Sequence, residues 1–228
     1  MDSKGHLIVT QSNNLVSPFT RLTIGYLALC CYFIPGTVYA FPPDLFGYRQ
    51  SQQADISVFS QWVQVLERHI LEDVAEGNCQ ARTFNRCHLK NWHAFLDRIR
   101  TLPLNRQLEK INQYANNRPY ILDIENYGLD DYWAVARELL YNGGDCEDYA
   151  ITKLFSLRWL GFPTENLRIV VLQDTNLRVP HAVLAVSRNK NIYILDNQTE
   201  EVILHNQIVH YSPVYSINEK HWWIHTPN

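Results

Sequence analysis

Apolar side chains at Phe59, Trp62, Val63, Leu66 and Ile70 recur at helical spacing and predict an amphipathic helix. Leu89, Trp92, Phe95, Leu96 and Ile99 repeat the stripe, and Leu104, Leu108, Ile111 and Tyr114 give a third helix. A fourth is expected from about Tyr132 to Tyr141, stopping at Asn142-Gly143-Gly144, whose glycines suit a helix C-terminus. Asp145 then stands where an N-cap belongs. In the segment from Cys146 to Leu160, Ala150, Ile151, Leu154, Phe155, Leu157 and Trp159 leave almost no polar face, so this helix is expected to be buried.

After Gly161-Phe162-Pro163 the pattern changes to strands: Arg168 to Leu172, His181 to Ser187, Ile192 to Asp196, Val202 to Leu204 and Val214 to Ile217. Arg188-Asn189-Lys190-Asn191 reads as the turn between the second and third. Helices first and an antiparallel meander afterwards indicate an α+β fold with a central helix packed on a sheet. The expected layout is a single domain over residues 41–228, with a mainly helical lobe over 41–142 and the central helix plus sheet over 143–228.

Residues 1–40 are a separate object. Arg21 precedes an uncharged, mostly apolar run from Leu22 to Tyr39, broken at Pro35-Gly36 and ending in Val38-Tyr39-Ala40. That order predicts a secretory signal peptide cut after Ala40, leaving Phe41 as the mature N-terminus; left uncut, the same segment is a membrane anchor. The polar leader before Arg21 is long for such a signal, as a start codon placed too early would make it. Leu27-Ala28-Leu29-Cys30 resembles a lipoprotein signal, but Leu29 is too bulky before the Cys.

Twenty Lys and Arg against twenty-three Asp and Glu, without a block of like charge, disfavour a nucleic-acid partner. With 46% apolar and 19% charged residues, disorder and coiled coil are excluded, and a mean hydropathy of -0.25 excludes a multi-span membrane protein. Of the five cysteines, Cys79, Cys87 and Cys146 lie beyond the leader. Cys79 and Cys87 flank a polar turn and either pair, leaving Cys146 free, or stay reduced.

A cysteine in the first turn of a helix has its thiolate stabilised by unpaired backbone N–H groups and the helix dipole. Cys146 is placed that way. If the four-residue turn pairs Ser187 with Ile192, His181 falls diagonal to Asp196 on one sheet face, together with Val183, Ala185, Ile192 and Ile194, a surface expected to receive the Cys146 helix. Read singly, these are a buried cysteine, a strand-end histidine and a turn aspartate; together they supply a nucleophile, a base and a carboxylate that orients the base. Asp145, Glu147 and Asp148 crowd the thiol and oppose its ionisation. A hard cation answers this: Ca²⁺ suits oxygen ligands at such density, and Asp123, Glu125, Asp130 and Asp131 stand upstream to complete a shell. The other reading is a solvated acidic first turn. The spacing is not that of an EF-hand, and no His/Cys set for zinc is present.

The runs Asn142-Gly143-Gly144-Asp145-Cys146-Glu147-Asp148-Tyr149-Ala150, Pro180-His181-Ala182-Val183-Leu184 and Leu195-Asp196-Asn197 resemble the bacterial transglutaminase-like cysteine proteases of the LapG type. The likeness extends over the helical lobe to Trp222-Trp223 at the end. It implies a papain-like or transglutaminase-like core and a calcium-dependent periplasmic endopeptidase. Such proteases cut a large surface adhesin near its N-terminus at a di-alanine site, releasing it and regulating biofilm attachment, and an inner-membrane cyclic-di-GMP receptor sequesters them. By motif position Cys146 is the nucleophile, His181 the base and Asp196 the orienter; Asp145 and Glu147 are the calcium ligands, with Asp148 and Asp131 further candidates. The alternatives are a transglutaminase or amidase with the same three residues, or a non-catalytic binding module. For the oxyanion the Cys146 backbone N–H is the donor, with Trp133 a side-chain candidate.

Overall fold

The computed structural model describes residues 41–71, 74–81 and 83–228; the segment read as a signal lies outside them. The expected helices form. α1 (Ser60–Ile70) buries Trp62 and Val65, whereas Ile70, expected on the apolar stripe, is 79% exposed at the helix end. α2 (Arg86–Ile99) buries Trp92, Leu96 and Ile99, and the Asn85 side chain caps it by accepting the Cys87 amide at 2.9 Å. α3 (Leu104–Asn116) buries Leu108, Ile111 and Ala115. A single turn, α4 (Asp123–Asn126), has no counterpart in the sequence reading.

α5 (Ala136–Asn142) starts at Ala136, not Tyr132. The physical reason lies in carboxylates that take the amides of the preceding segment. Tyr132 N donates to Asp123 Oδ2 at 2.5 Å, Ala134 N to Asp148 Oδ1 at 2.6 Å and Val135 N to Glu138 Oε2 at 2.9 Å. These bonds hold 132–135 outside the helix. α6 (Cys146–Trp159) is buried on nearly all sides, as its composition requires.

The strands are β1 (Asp44–Leu45), β2 (Tyr48–Gln53), β3 (Leu167–Asp174), β4 (Val179–Arg188), β5 (Asn191–Leu195), β6 (Ile203–Leu204), β7 (Tyr211–Ile217) and β8 (Trp222–Pro227). They form one antiparallel sheet in the order β1-β2-β8-β7-β3-β4-β5-β6. β1, β2 and β8 were not expected; β2 is mostly polar and exposed, and its register against β8, from Tyr48↔Pro227 to Gln53↔Trp222, defines it rather than any alternation of its own. The β4–β5 ladder has the expected register, Ser187↔Ile192, running to Leu184↔Leu195.

The expected face does not hold. α6 packs on Leu184, Val186, Leu195, Ile169 and Ile217, within the main core that also takes Trp62, Trp92 and Leu108. Val183, Ala185, Ile192 and Ile194 point the other way, into a second core with Phe41, Leu45, Phe46 and Tyr211. β4 is buried along both faces from His181 to Ser187, so apolarity alone could not assign the helix to a side.

Between Val171 and Leu172 the β3–β7 register slips by one residue, from Val171↔Tyr215 to Leu172↔Pro213. Successive strand residues alternate faces, so this bulge moves Tyr211 into the second core, while Tyr215 packs against the main one.

Cys79 and Cys87 form a disulfide, which settles the open alternative and leaves Cys146 as the free cysteine among the described residues. Closing a loop of sequence separation 8 constrains the unfolded chain by about 2.5 kcal/mol in the chain-entropy treatment. The Cys79→Ser, Cys87→Ser double variant is expected to lose stability of that order in urea unfolding.

Candidate active site

The Cys146 corner is built by its two preceding glycines. Gly143 ends α5 at φ 79°, donating its amide to Leu139 O at 2.9 Å, and a Cβ there would collide with Pro119 O. Gly144 faces Asp148 so closely that a Cβ would overlap its carboxylate. Asp148 is fully buried and uses both oxygens on backbone amides, Oδ1 on Ala134 and Oδ2 on Asp145 at 3.2 Å. The chain thus turns sharply into α6 with Cys146 at its first position.

The thiol meets β4. The Ala182 amide donates to its sulfur, and the thiol itself bonds Glu147 Oε2 at 3.3 Å. The helix terminus does not prevail on its own: burial first, then the charges of Glu147 and Asp145, push the thiol well above its ordinary range.

His181 precedes Ala182. Its Nε2 lies 2.9 Å from Asp196 Oδ1, and both residues are buried. Asp196 Oδ1 also accepts the Gln198 amide at 2.9 Å, and Oδ2 accepts the Tyr211 hydroxyl at 2.5 Å. Burial raises the Asp196 carboxyl, but the bonds to His181, Gln198 and Tyr211 outweigh it and hold it below its usual value. From the helical side, Asn116 Nδ2 donates to Asp196 O and to Thr199 O, each at 2.9 Å, so α3 pins the end of β5.

Tyr211 and Asn116 escaped the sequence reading. Nothing in the spacing of Tyr211 marks it, since its approach depends on the β7 bulge. Tyr211→Phe is expected to cost about 2 kcal/mol of stability, the range of a bond to a charged group, and to lower turnover several-fold; thermal melts and initial rates check both. Trp133 is buried against Trp62, with ring centroids 6.3 Å apart.

The acidic residues divide. Asp123, Asp131 and Glu147 offer oxygens within 4.8 Å of one another, as do Asp123, Asp145 and Asp148. Glu125 and Asp130 are exposed and belong to neither group. Asp123 Oδ1 and Asp145 Oδ1 are buried without a hydrogen-bond partner. Burial raises Asp123 to about 6, and burial with Asp148 and Asp145 raises Glu147 to about 10. Orphaned carboxylate oxygens converging in this way fit a hard dication. Asp123 was an upstream candidate only; the segment 118–121, bridged in parallel to Gly144 with Ile121 N on Gly144 O at 2.9 Å, precedes it directly in the chain.

Comparison with known proteins follows the same lines. LapG of Legionella pneumophila is 32% identical, with 60% of this chain and 76% of that chain covered at a TM-score of 0.54. Its calcium-bound form matches at 30% identity, covering 70% and 87% of the two chains with a TM-score of 0.56. The EGTA-treated form matches at 28%, covering 75% and 87%, again with a TM-score of 0.56. No curated protein matches. The pattern of bacterial transglutaminase-like cysteine proteinases spans residues 77–226, from the disulfide loop through the last strand, and the chain belongs to that family.

Proposed function

We propose that this protein is a calcium-dependent periplasmic cysteine endopeptidase that cuts a large surface adhesin near its N-terminus, at a di-alanine site, and so regulates biofilm attachment. The observation that carries this reading is the His181–Asp196 contact on the strand whose Ala182 amide meets the Cys146 sulfur. With Nε2–H spent on Asp196, His181 Nδ1 is the nitrogen that takes the thiol proton. The thiolate adds to the scissile carbonyl carbon, and the Cys146 backbone N–H is the donor assigned to the oxyanion. The imidazolium then protonates the leaving amine, and water, deprotonated by the same nitrogen, hydrolyses the thioester.

Asp123, Asp131, Asp145 and Glu147 are the residues that would hold Ca²⁺, and Asp148, with its oxygens on the Ala134 and Asp145 amides, fixes the backbone at Asp145 from behind. Calcium supplies positive charge that offsets the carboxylates beside the thiol and fixes the start of α6. That LapG of Legionella pneumophila, 30% identical, has a calcium-bound structure supports calcium binding by similarity.

Export is part of the reading: cleavage after Ala40 places Phe41 first in the periplasm, and the Cys79–Cys87 bridge suits that oxidising compartment. Among the described residues no helix is long and apolar enough to cross a membrane. The partner proposed for regulation is an inner-membrane cyclic-di-GMP receptor that sequesters the protease.

The test is incubation of the purified chain with the N-terminal region of a surface adhesin, with Ca²⁺ or chelator, and mass mapping of fragments. Calcium-dependent cutting between two alanines supports the proposal. Incorporation of an added amine without cutting would move the protein to the transglutaminases, and binding without either reaction would make it a binding module.

A further inference from the structure

A cavity of about 370 Å³ lies on the sheet face away from α6, with Phe41, Pro43, Gln52, Arg168, Asn218 and Trp223 in its wall. None of Cys146, His181 and Asp196 lines it. Arg168 dominates its chemistry. It is only 5% exposed, and its guanidinium carbon lies 3.7 Å from the Phe41 ring centroid and 3.5 Å from that of Trp223. Both faces of the cation are therefore covered by aromatic rings, as a weakly hydrated guanidinium allows.

In its plane the group is under-used. One N–H bonds the neutral Gln50 Oε1, and the buried Nε has no partner. Among the described residues no carboxylate pairs with Arg168, and the acid in the cavity wall, Glu165, is already bonded to Lys220 at 2.7 Å. Burial lowers Arg168 to about 9, which leaves it charged at neutral pH. A buried cation without a counter-charge is costly, and its persistence needs an anion to repay it.

We propose that this cavity is a carboxylate-binding pocket in which Arg168, clamped between Phe41 and Trp223, pairs with a carboxylate carried by a peptide. One uncompensated positive charge matches a monoanion; a phosphate dianion would need a second free cation, and Lys220 is taken. The planar fork of a guanidinium fits the two oxygens of a carboxylate. The Gln52 and Asn218 amides and the Pro43 and Trp223 surfaces provide the mixed polar and apolar lining that a peptide segment needs. Such a pocket would hold a substrate or partner by an acidic group at a point separate from the nucleophile.

The test uses the purified chain and small probes read by NMR at the Arg168 Nε–H and Trp223 indole resonances. N-acetyl-alanine carries a terminal carboxylate, N-acetyl-glutamate α-amide a side-chain one, and N-acetyl-alanine amide none. Both carboxylates are expected to shift the two resonances at millimolar concentration while the amide does not, and the tighter of the two identifies a chain end or an acidic side chain as the natural group. Gln52→Glu, a surface change that places a negative charge at the mouth, should weaken binding at least tenfold, as should Arg168→Gln if that variant folds. Equal shifts with the amide probe, tighter binding of inorganic phosphate, or carboxylate affinity unchanged in Gln52→Glu would each overturn the proposal.

Discussion

Cys146→Ala is expected to lower cleavage by about four orders of magnitude or more while the protein keeps its melting temperature within a few degrees. The sulfur is the atom the Ala182 amide and Glu147 converge on, whereas alanine is well tolerated in the first turn of a helix. Loss of chemistry and retention of fold therefore separate cleanly at this position. His181→Ala should be comparably damaging. Asp196→Asn should cost less, because an amide oxygen still accepts from Nε2 and an orienting group is partly replaceable. Initial rates on a di-alanine peptide, with melts of each variant, decide the order, and wild-type turnover in Cys146→Ala would place the nucleophile elsewhere.

Removing calcium is expected to abolish activity and to destabilise the fold together. A ligand bound only by the native state adds about 3 kcal/mol at a hundredfold excess over Kd. For a chain of this size that corresponds to roughly 5–10 °C in melting temperature. Mg²⁺ should restore little, since it dehydrates reluctantly and prefers octahedral geometry. Asp123→Asn or Asp145→Asn should reproduce the chelated state with Ca²⁺ present.

The calcium-free protein should also show an inverted pH dependence. Asp123, ordinarily near 3.8, is raised to about 6, and Glu147, ordinarily 4.5, to about 10. Between each pair of values the folded chain holds a proton that the unfolded chain has released. Stability then falls as pH rises, first from about 4 to 6 through Asp123 and on towards 10 through Glu147. With Ca²⁺ the same carboxylates must be ionised, so acid should destabilise instead. Calorimetric melts across that range, with and without Ca²⁺, test the sign; no heat of calcium binding, and unchanged melts in chelator, would leave the acids as a solvated helix start.

The parts of this molecule governed by local rules were legible in its residues. The helix stripes, the glycine stop before Asp145, the burial of α6 and the Ser187↔Ile192 register all follow from spacing and turn length. What was not legible depends on groups distant in sequence. Tyr132 to Val135 reads as the start of the fourth helix, yet Asp123, Asp148 and Glu138 hold its amides elsewhere. β2 exists because β8 pairs with it, and α6 lies on the Leu184 face because the opposite one is filled by Phe41 to Phe46 and Tyr211. In the candidate site, Cys146, His181, Asp196, Asp145 and Glu147 stood out by chemistry and motif. Asp123 did so only as one of several acids, and Asn116 and Tyr211 not at all.

The β7 bulge makes strand length as strict a constraint as residue identity. Tyr211 and Tyr215 are four positions apart and would share a face in a regular strand, but the slip opposite Val171/Leu172 sends one towards Asp196 and the other towards the helices. Deleting one residue from this stretch would give a more regular ladder and exchange the allegiance of half the strand. Substitution can therefore wander at an exposed position such as Val214, whereas gaps there cannot be tolerated without rebuilding the support of the histidine's carboxylate.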